Sequence, residues 1–283
     1  AAGRGHEVTL FEAGSEVGGQ FNLAKVIPGK EEFHETIRYF KVQIEKTGVD
    51  LRLNTKVNRE QLEREGFDEV VIATGVVPRA LKIEGSEAPQ VLSYAEVLRG
   101  APVGQKVAVI GAGGIGFDVS EFLLKPEHQP QPQPLAEWQR EWGVDPNPNY
   151  VTEGGMSAPE VHPPIREIYL LQRKTTALGA GLGKTSGWVH RAQLKKHAVR
   201  MLRGVQYKAI SNEGLWIEMA GQDQLLRVDS IVVCAGQESV KDLMPAADEN
   251  ILANYHIIGG AKLAAELDAK RAIREGAELA AKL

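Results

Sequence analysis

The segment KVAVIGAGGIG constrains the fold more than any other stretch, because closely spaced glycines join an apolar strand-like run to a helix-like run. Gly111, Gly113 and Gly116 fit the pattern G-x-G-x-x-G of a dinucleotide-binding turn. The first glycine permits the tight turn, the second lets a pyrophosphate approach the main chain, and the third lets the helix lie close to the strand. Free amides and the helix dipole would bind the phosphates. We therefore predict a pyrophosphate site at Gly111, Gly113, Gly114 and Gly116; a glycine turn with only a structural role is the alternative.

The end of the next strand in such a unit selects the nucleotide. An acid there accepts hydrogen bonds from the ribose 2′-hydroxyl of NAD(H) and repels the 2′-phosphate of NADP(H). Here the run LLQRK ends in Gln172, Arg173 and Lys174, which supply donors and two positive charges. We predict that Arg173 and Lys174 bind the 2′-phosphate of NADPH; the alternative is that both side chains only face solvent.

A second strand-like run, VTLFEA, ends in Glu12. An acid at this position is expected to bind the adenosine ribose of a nucleotide without a 2′-phosphate, as in FAD. The glycine turn of such a unit stands about 20 residues before the acid, whereas only eleven residues precede Glu12. We therefore expect the chain to begin within an FAD-binding domain, after its first strand and glycine turn.

Composition excludes several classes of protein. The chain has 283 residues and is 43% hydrophobic, which suffices for two domains or one large domain. A net charge of −4, interspersed along the chain, offers no basic surface to nucleic acid. Because no apolar run approaches the roughly 20 residues of a membrane span and no signal peptide is visible, we expect a cytoplasmic protein without membrane contact.

The chain contains a single cysteine, Cys234. One thiol excludes an internal disulfide, a C-x-x-C redox pair and an iron–sulfur cluster held by four thiolates of these residues. The apolar neighbours in DSIVVCAG predict that Cys234 is buried in a strand.

Strand-like and helix-like runs alternate along the chain, which favours an α/β fold with parallel sheets. DEVVIATG and DSIVVCAG share an Asp, three branched apolar residues and a Gly at matching positions. This internal repeat predicts two similar units; two unrelated buried strands are the alternative. One predicted helix has Phe33, Ile37, Phe40 and Ile44 at helical spacing, and another covers AKLAAELDAKRAIREGAELAAKL, interrupted only by Gly276.

The proline-rich stretch at residues 125–150 predicts a surface insertion, because proline denies the backbone donors that a helix or sheet needs. Trp138 and Trp142 stand at i and i+4, so they could anchor a short helix there. A role in binding a partner is an alternative for this insertion.

The loop GAGLGKT resembles a P-loop. However, Leu178 stands where the pattern G-x-x-x-x-G-K-[ST] requires a glycine, so we predict no nucleoside triphosphate site. Lys184 or Arg191 could instead lie beside NADPH or the flavin.

Seven stretches carry a resemblance that covers nearly the whole chain: LFEAGSEVGGQFNLAKVIPGKEEFHETIRYF, LSYAEVLR, KVAVIGAGGIGFD, LLQRK, GLGKTSGWVHR, VVCAGQE and ELDAKRAI. Together they resemble the C-terminal half of the bacterial NADPH-dependent 2,4-dienoyl-CoA reductases, which are relatives of trimethylamine dehydrogenase and old yellow enzyme. The glycine turn and ATG fit many flavin disulfide reductases, whereas GGQFNLAKVIPGKEEF and GLGKTSGWVHR point to this family.

The resemblance implies two Rossmann-like dinucleotide-binding domains of the flavin disulfide-reductase type, the first truncated at its N-terminus. The FAD-binding domain would comprise residues 1–100 and 240–283. The NADPH-binding domain would comprise residues 101–239, including the insertion. The resemblance also implies that an N-terminal TIM barrel, outside these residues, holds FMN and the acyl-CoA, and that a cysteine cluster there holds a [4Fe-4S] centre.

The implied activity is the reduction of 2,4-dienoyl-CoA in fatty-acid β-oxidation. NADPH would pass a hydride to FAD, and electrons would continue through the iron–sulfur cluster to FMN, neither of which this chain would bind. Because the cofactors carry this chemistry, we expect no catalytic residue and no metal ligand in these residues. The fragment alone is expected to be inactive.

The resemblance also implies FAD contacts for individual residues. Glu12 would bind the adenosine ribose, Gln20 and Lys30 would contact the flavin nucleotide, and Val57 would offer its main chain to adenine. Gly259 and Gly260 would open the last helix toward the flavin, with Gly260 standing where many flavoproteins have Asp. The remaining implied FAD positions lie in turns: Gly18, Gly19, Ala73 and Gly75.

Other classes of function remain open. A self-contained NAD(P)H- and flavin-dependent oxidoreductase of a small acceptor would need its own first glycine turn, and a disulfide reductase would need a C-x-x-C pair; these residues contain neither. A non-catalytic fragment that binds only NADPH is the third alternative.

Overall fold

The computed structural model describes residues 1–125, 133–145, 155–246, 253–265 and 269–283. These residues form two compact units. Unit 1 comprises Ala1–Ala24, Glu32–Val77 and Gln237–Leu283, and unit 2 comprises Lys25–Glu31 and Pro78–Gly236. The domain boundaries that we expect near residues 100 and 240 stay a prediction.

Strands and helices alternate through most of the described residues. The strands are β1 (Thr9–Phe11), β2 (Asp50–Arg52), β3 (Glu69–Ile72), β4 (Val76–Pro78), β5 (Val91–Ser93), β6 (Lys106–Ile110), β7 (Glu167–Gln172), β8 (Arg200–Arg203), β9 (Gln206–Ser211), β10 (Gly214–Met219), β11 (Gln222–Leu226), β12 (Ser230–Val233), β13 (Gln237–Ser239) and β14 (Asn254–Ile257). The α-helices are α1 (Gln20–Ala24), α2 (Phe33–Lys46), α3 (Arg59–Glu65), α4 (Tyr94–Leu98), α5 (Gly114–Leu124), α6 (Leu135–Trp142), α7 (Gly187–Lys196), α8 (Gly259–Lys262) and α9 (Ala269–Ala280).

The main sheet of unit 2 has five parallel strands in the order β5-β12-β6-β7-β8. The side chains of β6 from Val107 to Ile110 are fully buried, as expected for a strand of a parallel sheet that is covered on both faces. Helix α5 packs on β6 and β7. The predicted strand, turn and helix around the glycine pattern are therefore confirmed.

Unit 2 also contains an antiparallel sheet, in the order β11-β10-β9, that we do not predict from the sequence. The sequence contains a signal for this sheet, which is the alternation of apolar and exposed side chains along β10. Leu215 and Ile217 are buried in the core, while Trp216, between them, is 39% exposed. Such alternation, interrupted by the turns NEG and AGQD, is typical of antiparallel strands with one solvated face.

In unit 1 the described strands form two-stranded pairs. Strands β1 and β2 are parallel, as are β3 and β14, and β4 pairs with β13. The core includes Leu62, Val70, Ile72 and Ala261. The predicted helix at α2 is confirmed, although it buries Ile37 and leaves Phe40 38% exposed.

In unit 1 one strand is less buried than its apolar sequence suggests, and one predicted helix is wrong in part. Strand β3 is not uniformly buried, since Val70 and Ile72 face the core while Val71 is 41% exposed. The C-terminal segment is not one helix: α8 ends at Lys262, because Leu263 takes an extended conformation, and α9 begins at Ala269. Gly276 does not interrupt α9.

The short helix expected within the proline-rich insertion is confirmed as α6. The ring centroids of Trp138 and Trp142 are 6.3 Å apart, and the Lys196 ammonium lies 4.8 Å from the centre of the Trp142 ring. The rest of the insertion at 126–132 and 146–150 lies outside the described residues. Among the helices of the described ranges, none is long and apolar enough to cross a membrane.

Candidate functional site

The glycine turn of unit 2 is closely packed on two sides. Gly111 has φ 107°, and its N–H donates to the Leu171 carbonyl at 2.9 Å. A Cβ on Gly111 would lie 2.6 Å from the Cys234 carbonyl oxygen, and a Cβ on Gly116 would lie 1.8 Å from the Gly111 carbonyl oxygen. Both positions therefore require glycine for steric reasons, which agrees with the roles that the sequence pattern predicts.

Gly113 and Gly114 differ, because a Cβ on either would meet no atom within 4 Å. Gly113 is the N-cap of the eleven-residue helix α5, and its cap carries no side-chain hydrogen bond. The first amides of a helix have no partner within the helix, and together with the helix dipole they favour an anion. An open cradle of glycines in front of these amides fits the pyrophosphate of a dinucleotide.

Two cations follow the neighbouring strand. Arg173 and Lys174 come directly after β7, and both are exposed. In the part of the chain that the structure describes, neither forms an ion pair. Gln172 fixes the loop that carries them, since its Nε2 donates to the carbonyls of Lys174 at 3.0 Å and Thr176 at 2.8 Å. Both side chains are thus available to a phosphate at the carboxyl edge of the sheet.

In unit 1, Glu12 directly follows β1, and the strand's hydrogen bonding continues past it. Its N–H donates to the Arg52 carbonyl at 3.0 Å, and its own carbonyl accepts from the Thr55 N–H at 2.9 Å. Its Oε1 accepts from the Gly14 N–H at 2.7 Å. Oε2 accepts no hydrogen bond from the described residues. A carboxylate fixed through one oxygen and open at the other fits a ribose that offers hydroxyl donors.

The glycine pair after Glu12 opens the short helix α1. Gly18 and Gly19 have φ values of 130° and 49°, and Gln20 begins the helix with an exposed side chain. Val57 packs beside the unit 1 core. Its main-chain N–H and C=O make no hydrogen bond to other described residues, so they are available to a base.

Two further turns of unit 1 hold the predicted positions Ala73, Gly75, Gly259 and Gly260. The Thr74 hydroxyl donates to the Val240 carbonyl at 2.7 Å, while Gly75, at φ 73°, has open space where a Cβ would stand. Gly259 and Gly260 are buried and open α8, so the prediction that they open the last helix is wrong. The carboxylate of Glu275 on α9 accepts the Gly259 N–H at 2.7 Å, and the Ser239 hydroxyl donates to the Gly260 carbonyl.

Lys30 belongs to unit 2, where its ammonium pairs with the Asp118 carboxylate on α5 at 2.6 Å. One turn further along α5, the Glu121 carboxylate lies 2.8 Å from His190 Nδ1 and raises the pKa of that histidine. We do not identify these pairs from the sequence, because 88 residues separate Lys30 from Asp118. Two acids within the mostly apolar segment FDVSEFLL are the only local signal.

The sequence also singles out Lys184, Arg191 and Cys234. Arg191 donates to the Gly179 carbonyl at 3.0 Å, and Lys184 is exposed. Cys234 is buried as predicted, just after β12 rather than within it, and burial raises the pKa of its thiol well above the usual range. The described residues contain no group of three or more His, Cys, Asp or Glu side chains that could hold a metal ion.

The structure brings one set of the predicted residues together in unit 2. The open glycine turn, Arg173 and Lys174 lie at one edge of the parallel sheet of unit 2. Residues 1–257 match the protein family described as Pyridine nucleotide-disulphide oxidoreductase. The chain belongs to this family. Membership confirms the predicted α/β fold with nucleotide-binding sheets and implies that FAD and NAD(P)H are the cofactors.

Three relatives illustrate the likeness. The chain is 28% identical over 253 residues to the metal reductase of Desulforamulus reducens, covering 87% of this chain and 36% of that protein. It is 26% identical over 262 residues to the cinnamate reductase of Clostridium sporogenes, covering 92% of this chain and 34% of that protein. A structure of 2-naphthoyl-CoA reductase in complex with 2-naphthoyl-CoA superposes with a TM-score of 0.80 at 26% identity, covering 100% of this chain and 37% of that one.

These relatives are much longer than the chain. It spans about a third of the length of the two curated relatives, 36% and 34%.

Proposed function

We propose that this chain is the nucleotide-binding part of an NADPH-dependent 2,4-dienoyl-CoA reductase, in which it binds NADPH and FAD. The observation that carries the proposal is the open glycine turn in unit 2 beside the unpaired cations Arg173 and Lys174. The substrate class rests on the family resemblance in the sequence. The likeness to a reductase whose name specifies a CoA thioester supports it.

NADPH would bind along the carboxyl edge of the unit 2 sheet. The amides at Gly113 and Gly114 would bind the pyrophosphate, while Gly111 and Gly116 let strand and helix approach closely enough to form the cradle. A 2′-phosphate carries a charge of about −1.5 to −2 at neutral pH if it resembles other phosphate monoesters. Arg173 and Lys174 would neutralise it.

FAD would bind to unit 1. The free carboxylate oxygen of Glu12 would accept from the adenosine ribose, and the main chain of Val57 would hydrogen bond to adenine. Further contacts with the flavin nucleotide are proposed for Gly18, Gly19, Gln20, Ala73, Gly75, Gly259 and Gly260 of unit 1. The contact expected for Lys30, which belongs to unit 2, stays a prediction. The chemistry that the two bound cofactors supply is hydride transfer from nicotinamide to flavin. The residues of this chain bind and orient the cofactors, and we assign none of them a catalytic role.

We propose that the acyl-CoA site, FMN and a [4Fe-4S] centre belong to a part of the protein outside these residues, because the relatives are almost three times as long. An aromatic CoA thioester is the second candidate substrate, since the relative with a TM-score of 0.80 is a 2-naphthoyl-CoA reductase. The proposed domains are those expected from the sequence: 1–100 with 240–283 for FAD, and 101–239 for NADPH.

The test compares binding of NADPH and NADH to the protein by calorimetry, followed by anaerobic reduction of its flavin with each. We expect NADPH to bind more tightly and to bleach the flavin faster. Gly113→Ala should lower the NADPH affinity at least about tenfold, because its methyl group would occupy the phosphate cradle. The matched control is Gly3→Ala, where a Cβ also meets open space.

Equal affinity for both nucleotides, or unchanged NADPH binding in Gly113→Ala, would contradict the proposal. The substrate is tested separately by turnover of 2,4-hexadienoyl-CoA and 2-naphthoyl-CoA in the longer natural protein. Preference for the dienoyl thioester supports the first candidate, and preference for the aromatic thioester replaces it with the second.

A further inference from the structure

A third cation lies beside the strand end that carries Arg173 and Lys174. Arg203 is the last residue of β8, the edge strand next to β7, and its side chain is exposed. Strands β7 and β8 are parallel, with Gln172 aligned to Arg203. The two strands thus end at the same level of the sheet.

Hydrogen bonds beyond the strand ends fix this arrangement. The Gly204 N–H donates to the Lys174 carbonyl at 3.0 Å, and the Val205 N–H donates to the Gln172 carbonyl at 3.0 Å. Adjacent strands in a sheet lie about 4.8 Å apart, so the main chain of Arg203 is within one strand spacing of the residues predicted to bind the 2′-phosphate. The alignment is set by backbone pairing.

The surroundings of Arg203 differ from those of other cations in the same sheets. Arg200, at the start of β8, pairs with Glu167 at 3.1 Å, and Lys208 on β9 forms an ion pair with Glu218. Arg203 forms no ion pair within the described part of the chain. Together with Arg173 and Lys174 it makes a group of three exposed, unpaired cations at one edge of the sheet.

We propose that Arg203 is the third cation of the 2′-phosphate site and contributes to the preference for NADPH over NADH. The inference rests on the proposed function, because it requires a dinucleotide whose pyrophosphate lies at the glycine turn. Three positive charges without acidic partners repel one another, and a dianionic phosphate between them removes that repulsion.

Arg203 differs from the other two cations in its backbone setting. Arg173 and Lys174 stand in a loop, whereas Arg203 projects from a hydrogen-bonded strand, so its main chain is fixed before the ligand binds. Like Arg173, Arg203 has a planar guanidinium that can donate two parallel hydrogen bonds to a phosphate, which a lysine cannot. Arg203 should therefore contribute to discrimination for the 2′-phosphate and little to binding of the rest of the nucleotide.

The test uses two small probes, adenosine 2′,5′-bisphosphate and adenosine 5′-monophosphate, titrated calorimetrically into the wild-type protein and four variants. The variants are Arg203→Ala, Arg203→Lys, Arg173→Ala with Lys174→Ala, and the control Arg200→Ala. The control removes the same charge from the same strand, three residues or about 10 Å away. Thermal unfolding of each variant establishes that it is folded.

We expect Arg203→Ala to weaken the bisphosphate about tenfold to a hundredfold and the monophosphate less than about threefold. Arg203→Lys should recover only part of the loss, and Arg200→Ala should change neither probe more than about threefold. If the double variant loses bisphosphate affinity while Arg203→Ala behaves as Arg200→Ala does, Arg203 is not part of the site and the proposed function stands. If the wild type binds both probes equally, the proposed NADPH preference and the role of Arg203 fail together.

Discussion

Strands β3 and β12 have similar sequences but different surroundings. In unit 2, β12 lies between β5 and β6, and all four of its residues are buried. In unit 1, β3 pairs with β14 and, among the described residues, with no other strand; Val71 is 41% exposed. The same apolar pattern, with its glycine exit, thus gives a fully enclosed strand in one unit and a half-buried strand in the other. The neighbouring strands, and not the local sequence, decide how much is buried.

The glycines differ in the same way. In unit 2 the positions of Gly111 and Gly116 are closed by backbone atoms, whereas Gly75 and Gly19 in unit 1 have open space where a Cβ would stand. Gly19 and Gly75 are needed for their positive φ values, and Gly116 is needed because no side-chain atom fits. The two sites should therefore respond differently to substitution.

The largest effect is expected for Gly116→Ala. Its Cβ would lie 1.8 Å from the Gly111 carbonyl oxygen, so helix α5 must move away from the turn. We expect a loss of about 3 kcal/mol or more in the free energy of unfolding, measured with urea. The control is Gly114→Ala at the start of the same helix, where a Cβ meets open space and alanine favours the helix. A change in Gly116→Ala as small as in the control would contradict close packing at this turn.

The next effect concerns the nucleotide preference of unit 2. Removing both charges in Arg173→Ala with Lys174→Ala should lower NADPH affinity more than about a hundredfold, since each charge-assisted contact contributes about 1.5 to 3 kcal/mol. NADH affinity should change little, because NADH has no 2′-phosphate. Titration of both nucleotides measures the ratio. An equal loss for NADPH and NADH would show that the two side chains do not recognise the 2′-phosphate.

In unit 1 the corresponding effect should be smaller. Glu12→Gln keeps an oxygen that can accept the Gly14 N–H but removes the charge from the ribose contact. We expect FAD affinity to fall about tenfold, the value of one hydrogen bond to a charged group. The matched control is Glu7→Gln, an exposed acid just before β1. FAD titration of the apoprotein measures the change. An equal FAD affinity in the two variants would show that Glu12 does not bind the ribose.

The sequence alone was sufficient to predict those elements whose formation depends on neighbouring residues only. The strand, turn and helix at Gly111–Gly116 follow from glycine spacing and an apolar run, and the helix at Phe33 follows from its periodicity. Composition failed at the C-terminus, where a strongly helix-favouring sequence predicts one helix. There α8 is held separately, because Glu275 accepts the Gly259 N–H and Ser239 donates to the Gly260 carbonyl.

Contacts between distant residues could not be predicted. The pairing of Lys30 with Asp118 depends on two segments that are 88 residues apart, and Glu121 meets His190 across 69 residues. The position of Arg203 beside Gln172 depends on strand register, which a single sequence does not reveal.

The smallest effect should be a pH dependence of unit 2 that arises from His190. The Glu121 carboxylate raises the pKa of His190 above its usual value of about 6.5, and Asp118 acts in the same direction while Lys30 opposes it. The folded protein therefore binds the proton more tightly than the unfolded chain. The stabilisation is fully present below about pH 6.5 and is lost as pH rises through the raised pKa. Relative to His190→Gln, the wild type should lose about 1 kcal/mol or less of unfolding free energy between about pH 5 and about pH 9. His34→Gln, an exposed histidine on α2 in unit 1, is the control, and an equal pH response in both variants would mean that the pair with Glu121 does not stabilise the fold.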